Sequence, residues 1–289
     1  MSTFGGITSA NLSNLMSGQV PTPSLLLDAT KDQNFVMTTY SSRLLDFQVL
    51  MAIQVKNMKK LECMAKLNFI NIAYNGHHGM NPLHYASVHG NYDAAKLLLE
   101  LRGETLIPVI NAQERHHGYT PLHYAAAFGH ADIVRLLVQY GADLNMKDNT
   151  GLSPFFLACH RGQVEAVKTI IELHGKFINP NESHMGSTPL FRAVSLSNQA
   201  LINELLQQFE NIDLGGCVST GENLIILAVL RKDEAMLQLL LTKLSAASTV
   251  DHAKRLQMLD QSTFETFTAL HFAAMDGLTG MVKALLEAG

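Results

Sequence analysis

The chain has 289 residues, of which 47% are hydrophobic and 16% are charged. The hydrophobic fraction excludes a disordered polar chain, while the charged fraction lies below the roughly 25% that is typical of soluble domains. With 21 basic and 25 acidic residues, the formal net charge is −4. The sequence has no run of lysine and arginine, so we expect no nucleic-acid partner.

The amino-terminal region, residues 1–45, is predicted to be a disordered or capping segment. Residues 1–24 are rich in Ser, Thr, Asn and Gly, which favours disorder, and residues 33–46 are predicted to add a helix to the cap. This region has neither the basic nor the apolar part of a secretory signal. The longest apolar run in the chain, Leu224 to Leu230, is too short for a membrane span.

Three cysteines, Cys63, Cys159 and Cys217, lie far apart in the sequence. An odd and sparse set of this kind is typical of reduced thiols rather than a disulfide framework. We therefore expect the protein to act in the cytosol.

A ten-residue block recurs along the rest of the chain, beginning at positions 81, 120, 153, 188, 223 and 268. Its copies are NPLHYASVHG, TPLHYAAAFG, SPFFLACHRG, TPLFRAVSLS, NLIILAVLRK and TALHFAAMDG. An alanine stands five places after the start of each copy. A second block follows the first, and its best copy is GHADIVRLLVQYGADLN at 129–145. Self-similarity at such intervals is the signature of a repeat protein.

The spacing and the TPLH-A core resemble the ankyrin repeat, whose period is about 33 residues. The resemblance implies an all-α fold with short β-hairpin fingers, an ankyrin-repeat solenoid of about six to seven helix-turn-helix repeats over 46–289. The units are 47–79, 80–118, 119–151, 152–186, 187–221, 222–266 and a truncated 267–289.

Physical chemistry explains the residues of the best copy. The Thr120 hydroxyl is suited to cap the first helix, and Pro121 occupies its first turn, where a missing N–H costs nothing. Leu122 and Ala125 lie on one helical face, and the small alanine allows a close approach of two helices. Gly129 is suited to end the helix in a left-handed conformation.

Several units depart from this pattern. Residues 47–79 are interpreted as a degraded first repeat of the kind that caps an array, because Val49 and Ala52 match Leu122 and Ala125. Insertions are predicted near 106–110 and within 243–266. Extra helical turns are expected in the second of these. The unit 222–266 has lost its Thr-Pro opening, and Lys232 replaces its glycine, so we expect it to be the weakest. The sequence stops at LLEAG, which suggests a fragment whose further domain would lie beyond Gly289.

Ankyrin proteins typically bind partners through their finger tips and the exposed ends of their first helices, which together make a concave face. Transferring that pattern position by position, and keeping mainly histidine, aromatic, arginine and methionine residues, gives a set of candidate partner-binding residues. They are His77, His78, Met80, His89, His116, His117, Tyr119, Phe128, Asn149, His160, Arg161, His184 and Met185. Aromatic residues and arginine are enriched at binding hot spots. The two groups that run from His116 to Phe128 and from Asn149 to Arg161 are therefore predicted to form the centre of the interface. The alternative is that finger tips tolerate any polar residue.

The histidines of the first blocks, His84, His123 and His271, are predicted to hydrogen-bond the backbone of the neighbouring repeat. The paired histidines at 77–78 and 116–117 are not expected to bind a metal. A metal ion needs ligands that converge on one point, and the tips of neighbouring fingers are expected to lie well apart. Because histidine gains charge between pH 8 and pH 5, partner binding is predicted to change in that range.

A modification site is also predicted. Leu137 together with Asp143-Leu144-Asn145 resembles the sequence that cytosolic asparaginyl hydroxylases modify in ankyrin repeats. The resemblance implies that Asn145 can carry a β-hydroxyl group hydrogen-bonded to Asp143. The alternative is that Asn145 only satisfies backbone groups in its turn.

The sequence bears on three classes of function. The first is a protein-protein interaction module or adaptor without cofactors, which we expect to be cytosolic and monomeric. The second is the targeting part of a larger enzyme, or of a secreted bacterial effector exported into a host cell. The third is an enzyme within these residues. The sequence shows no catalytic signature for the third, and the adjacent Cys159 and His160 do not face each other on a helix.

Overall fold

The computed structural model describes residues 39–101, 107–215, 218, 220–246, 252–263 and 265–289. The predictions for residues 1–24 and for Cys217 lie outside the described residues. The chain divides into two compact units, Met1–Gly103 and Glu104–Gly289, and each is described by itself.

The regular elements of the described residues are helices. They are α1 (Thr39–Gln54), α2 (Met58–Lys66), α3 (Pro82–Val88), α4 (Tyr92–Glu100), α5 (Ile107–Ile110), α6 (Pro121–Ala127), α7 (Ala131–Gln139), α8 (Pro154–His160), α9 (Val164–His174), α10 (Pro189–Ser195), α11 (Gln199–Gln208), α12 (Leu224–Leu230), α13 (Glu234–Ala246), α14 (His252–Leu259), α15 (Ala269–Met275) and α16 (Thr279–Ala288). Short 3-10 turns occur at His77–Gly79 and Gly175–Phe177. The prediction of an all-α array of helix-turn-helix repeats is confirmed. None of the described helices is long and apolar enough to cross a membrane.

The first unit contains the pairs α1–α2 and α3–α4. Helix α1 begins at Thr39, so it contains the described part of the helix expected over 33–46 and continues into the degraded first repeat. Val49 and Ala52 are buried, as their match to Leu122 and Ala125 predicts. The Asn91 side chain caps α4 and donates from Nδ2 to the Ile53 carbonyl over 2.9 Å. This polar side chain therefore helps to join the two pairs of this unit.

The second unit contains the pairs α6–α7, α8–α9, α10–α11, α12–α13 and α15–α16. Each first helix from α6 to α12 begins at a polar cap whose side chain accepts the N–H three residues on. These caps are Thr120, Ser153, Thr188 and Asn223. The alanine at the sixth position of each block is buried, which lets neighbouring helices pack closely.

A tight turn, here called a finger turn, precedes each first helix. In the second unit it is closed by backbone hydrogen bonds such as Glu114 N–H to Tyr119 O at 3.0 Å and Asp148 N–H to Leu152 O at 2.9 Å. The described residues contain two isolated β-bridges and no strand, so these fingers are turns rather than the expected β-hairpins. The residues on either side of each finger turn are too few to form backbone hydrogen bonds beyond those that close the turn.

Left-handed residues separate the helices of each pair. Gly129 and Gly162 have φ of 77° and 72°, and the equivalent Ser197 and Lys232 keep the same conformation at 51° and 56°. This conformation is costly for residues with a Cβ atom. The geometry therefore supports the expectation that the unit 222–266 is a weak one.

Both predicted insertions contain helix. Helix α14 lies in the second, which confirms the extra helical turns expected there, while α5 in the first was not predicted. The buried Asn223 donates from Nδ2 to the Met258 carbonyl over 2.6 Å, so α14 is joined to the cap of α12. This insertion is packed against its repeat rather than loosely appended.

Candidate functional site

The second compact unit, Glu104–Gly289, presents a series of aromatic rings that runs from a finger turn to the end of a first helix. Its members, here called the aromatic series, are His116, His117, Tyr119, Tyr124, Phe128 and His130. Successive ring centroids lie 6.3, 5.1, 5.3, 6.5 and 6.4 Å apart. Four of the six were predicted from the sequence; Tyr124 and His130 were not. Half of the Phe128 side chain is exposed, at 52%.

The finger turn beneath this series is organised by one buried carboxylate. Glu114 is only 3% exposed, and it accepts the backbone N–H groups of His116 at 2.7 Å, His117 at 2.5 Å and Tyr119 at 3.4 Å. Burial by itself raises the pKa of Glu114, but these hydrogen bonds outweigh it and leave the pKa below its usual range. The carboxylate is therefore charged at neutral pH and fixes the backbone from which three candidate residues project.

The next finger turn is held in the same way and is bonded to the first. The buried Asp148 accepts N–H groups of Thr150 and Leu152, both at 2.8 Å. Asn149 donates its backbone N–H to the His117 carbonyl over 2.8 Å and its Nδ2 to the His116 carbonyl over 3.1 Å. The predicted binding residue Asn149 therefore also has a structural task, which is to join two neighbouring fingers.

Tyr119 lies between the scaffold histidine of its repeat and the charged residues of the two finger turns. Its ring lies parallel to that of His123, with the centroids 5.7 Å apart and an angle of 6°. Burial raises the pKa of the Tyr119 hydroxyl, and the charges of Asp148 and Glu114 raise it further while Arg161 opposes them. The hydroxyl is therefore neutral at physiological pH and can act as a hydrogen-bond donor.

A basic cluster follows on the third and fourth repeats. Arg192 on α10 points a guanidinium nitrogen at Nε2 of His160, the last residue of α8, at 3.0 Å. Arg161 is exposed at the cap of α8, and Met185 is 78% exposed beside His184. Burial lowers the pKa of His160, and the nearby Arg192, Arg161 and His184 lower it further. Arg192 was not among the predicted residues, because its position in the block is occupied by Tyr124 or Leu157 in the preceding copies.

Four predicted residues belong to the first unit. His78 is exposed in the left-handed conformation, with a φ of 64°, and the side chain of His77 lies outside the described atoms. The Met80 carbonyl accepts the Gly76 N–H and closes the turn. His89 caps the end of α3, and its ring stacks on Tyr85 with the centroids 6.5 Å apart.

The scaffold histidines form hydrogen bonds within their own repeats, and one of them also bonds to the next repeat. His123 is fully buried, forms a capping box with Thr120, and its Nε2 lies 3.1 Å from the Leu152 carbonyl of the next repeat. His84 and His271 form the same box with Asn81 and Thr268. The bond between repeats that was predicted for these histidines is therefore confirmed for His123.

Asn145 lies in the loop after α7. Its backbone N–H donates to Oδ1 of Asp143 over 2.8 Å, and its Nδ2 lies 3.3 Å from Nε2 of His174. The carboxylate of Asp143 is thus beside Asn145, which is the placement that a hydroxyl group at Cβ requires of its partner. Whether the residue is modified stays a prediction.

Neither metal binding nor thiol chemistry gains support from the geometry. In the ranges that the structure describes, no group of three or more His, Cys, Asp and Glu side chains is placed to hold a metal ion. Cys159 is completely buried, and burial raises the pKa of its thiol far above the usual range. The thiol is therefore protonated, and a protonated thiol is a poor nucleophile.

Comparison with known proteins agrees with the repeat geometry. The sequence model described as ankyrin repeats, in three copies, matches residues 49–148 and 141–216, and the single ankyrin repeat matches residues 266–289. The chain belongs to the ankyrin-repeat family. Ankyrin repeats indicate a protein-protein interaction module, and the resemblance inferred from the TPLH-A blocks is thereby confirmed.

One relative of this ankyrin-repeat chain is an ankyrin repeat protein of Acanthamoeba polyphaga mimivirus. The two are 28% identical over 156 residues. The match covers 53% of this chain and 19% of the viral protein, so this chain corresponds to about a fifth of that relative's length.

Proposed function

We propose that the ankyrin repeats of this chain bind a protein partner on the face made by the finger turns and the exposed ends of the first helices. The centre of that face is the aromatic series together with Arg161. The observation that carries the proposal is the unbroken run of rings from His116 to Phe128, which ends in an aromatic side chain left 52% exposed. Tyrosine and arginine are the residue types that carry much of the energy at protein interfaces.

The rigidity of the fingers supports the same proposal. Glu114 and Asp148 hold their turns from within, and Asn149 joins one turn to the other. Surfaces that are ordered before binding lose less conformational entropy when the partner arrives. A fixed aromatic surface therefore costs little to present, as suits a recognition surface. The proposal needs no cofactor, and it places the protein in the cytosol as a monomer.

A second candidate is that the repeats are the targeting part of a larger enzyme or of an effector exported into a host cell. The observation in its favour is that the match to the viral relative occupies only 19% of that protein's length. In both candidates the same face recognises a protein, and they differ in what else the complete polypeptide contains.

The decisive experiment is a pull-down from cytosolic lysate with the full chain and with a Tyr119→Ala, Phe128→Ala, Arg161→Ala triple variant. We expect a partner that the wild type retains and the variant loses. The matched control is Arg135→Ala, Tyr140→Ala, Lys168→Ala, which removes similar side chains from the second helices α7 and α9 and is expected to retain the partner. Circular dichroism establishes that both variants are folded.

A partner that survives the first triple variant would move the site to another surface. A partner lost equally from both variants would show that the change was not specific to this face. The absence of any retained protein in lysates from several sources would contradict the proposal.

A further inference from the structure

We infer that the partner segment is extended and carries alternating apolar and acidic residues, which dock along the row Phe128, Arg161, Leu196 and Arg231. This inference rests on the proposed function and specifies its partner. Each of the four residues is the C-cap of the first helix in its repeat, so each occupies the same place in consecutive repeats. They are called here the C-cap row.

The chemistry of the C-cap row alternates. Phe128 and Leu196 are apolar side chains with 52% and 48% of their surface exposed, and Arg161 and Arg231 are exposed cations. Leu196 packs against Gly162 of the preceding repeat. Its Cδ1 would lie only 3.3 Å from a Cβ atom built on that glycine. It therefore rests against the left-handed turn of the preceding repeat, between the two arginines of the row.

The positive charge of the row has no partner of its own. Neither Arg161 nor Arg231 forms an ion pair within the ranges that the structure describes, although six other ion pairs occur there. Arg231 donates one N–H to the Ser195 carbonyl, which places its guanidinium at the end of α10 and leaves its other donors available. Arg192 adds a further cation in the next repeat, where it donates to His160 Nε2 over 3.0 Å.

The acidic residues of the fingers around Arg161 have other partners. Glu114 and Asp148 are buried and are used by backbone N–H groups, and Glu182 pairs with Lys147 and accepts from Ser153. The chain as a whole is acidic, at −4. The C-cap row is thus a locally positive strip on a negative protein, and complementary charge on the partner is the arrangement that favours specific association.

The spacing indicates what sequence fits. Packed helices lie about 8–10 Å apart, and an extended chain rises about 3.3 Å per residue, so one repeat corresponds to about three residues of partner. Apolar and acidic residues of the partner would therefore alternate at intervals of about three. A nucleic acid also carries negative charge and could stack a base on Phe128, but Leu196 offers no ring for a second base, so the Leu196 position favours a protein segment.

The test is selection from a displayed library of random peptides of about twelve residues, long enough to cross the four positions at about three residues each. The full chain is used as wild type and as the Arg161→Glu, Arg231→Glu variant. Wild type is expected to enrich Asp or Glu about three places from an apolar residue. The variant is expected to enrich Lys or Arg instead, and peptides selected by wild type should lose at least about tenfold in affinity for it.

The control is Arg135→Glu, a charge reversal on α7 away from the row, which should retain the wild-type peptides. Three results would overturn the inference: wild-type peptides without acidic enrichment, the same peptides selected by the charge-reversed variant, or binding of a single-stranded oligonucleotide in place of any peptide. If bound peptides or lysate partners ignore the reversal, only this inference fails. If neither lysate nor library gives any binder, the proposed function fails with it.

Discussion

A guanidinium nitrogen of Arg192 lies 3.0 Å from Nε2 of His160, so a hydrogen bond crosses from one repeat to the next. Because a guanidinium only donates, Nε2 must accept, and the imidazole must be neutral with its proton on Nδ1. The bond therefore fixes both the charge and the tautomer of a residue in the candidate surface.

We predict that His160 titrates below the ordinary histidine pKa of about 6.5. Burial lowers the pKa of His160 first, and Arg192 lowers it further, so Arg192→Ala should move it upward. NMR titration of the imidazole measures this, with Arg231→Ala as the matched control. An unchanged pKa in Arg192→Ala would show that the pair does not form in solution. His160 should then contribute less than an ordinary histidine to the pH dependence predicted for this face.

The stability of the second unit should depend on pH through His123. Burial lowers the pKa of His123 in the folded state, so the unfolded chain binds a proton that the folded chain does not. Stability is then fully present above about pH 6.5 and is lost as the pH falls below it. Urea unfolding at pH 7.5 and 5.5 should show a larger loss for wild type than for His123→Gln. An equal loss in both proteins would contradict this.

Replacing Ser197 by glycine should stabilise the protein by about 1 kcal/mol, since a left-handed residue with a Cβ atom is strained. Lys232→Gly removes the same strain, but it also removes the exposed ion pair with Asp276, in which Nζ and Oδ2 lie 3.1 Å apart. Its gain should be smaller, because such a pair contributes up to about 1 kcal/mol. Chemical denaturation compares the two variants. A loss of stability in Ser197→Gly would mean that its φ is not 51° in solution.

Glu114→Gln should destabilise the finger turn by about 1–3 kcal/mol, because an amide replaces a buried carboxylate that accepts several N–H groups. Amide hydrogen exchange at His116 and His117 should accelerate. The control is Glu172→Gln, which removes only an exposed ion pair with Arg135 and should cost less than about 1 kcal/mol. Slow exchange in Glu114→Gln would show that the turn is stable without the charge.

Incubation with a cytosolic asparaginyl hydroxylase should add the mass of one oxygen atom to the chain. The carboxylate of Asp143 already lies beside Asn145, where it can accept from the new hydroxyl group. Asn145→Ala should gain no mass, whereas Asn149→Ala should gain as much as wild type. No mass gain in wild type would remove Asn145 as a modification site.

Sequence alone predicted what one repeat does within itself. The polar cap at Thr120, the buried Ala125 and the left-handed Gly129 follow from helix chemistry that needs no neighbour. The family pattern placed Phe128 and Arg161 at their helix ends, and both are exposed there.

Contacts between repeats could not be predicted in the same way. The bond from Arg192 to His160 joins the fifth residue of one block to the eighth residue of the preceding one, and no single copy of the pattern contains both. Tyr124 was missed for a different reason: its ring contacts Tyr119 and Phe128 of the same repeat, but its position is not one of those that the family binding pattern includes. The predicted set ends at Met185, so it does not contain Arg231, whose C-cap place is equivalent to that of Arg161.

The bonds between successive loops have a consequence for how such a chain changes in evolution. Asn111 accepts the Asp143 N–H over 3.0 Å, and two repeats later Asn181 accepts the Asp213 N–H over 2.7 Å. Donor and acceptor stand 32 residues apart in both cases. Loss or duplication of a whole repeat preserves a spacing of this kind better than loss of half a repeat does. Shorter additions are carried by extra helix, as in α5 and α14, so we expect such an array to change length by whole repeats or by insertions that leave the bonds between loops in place.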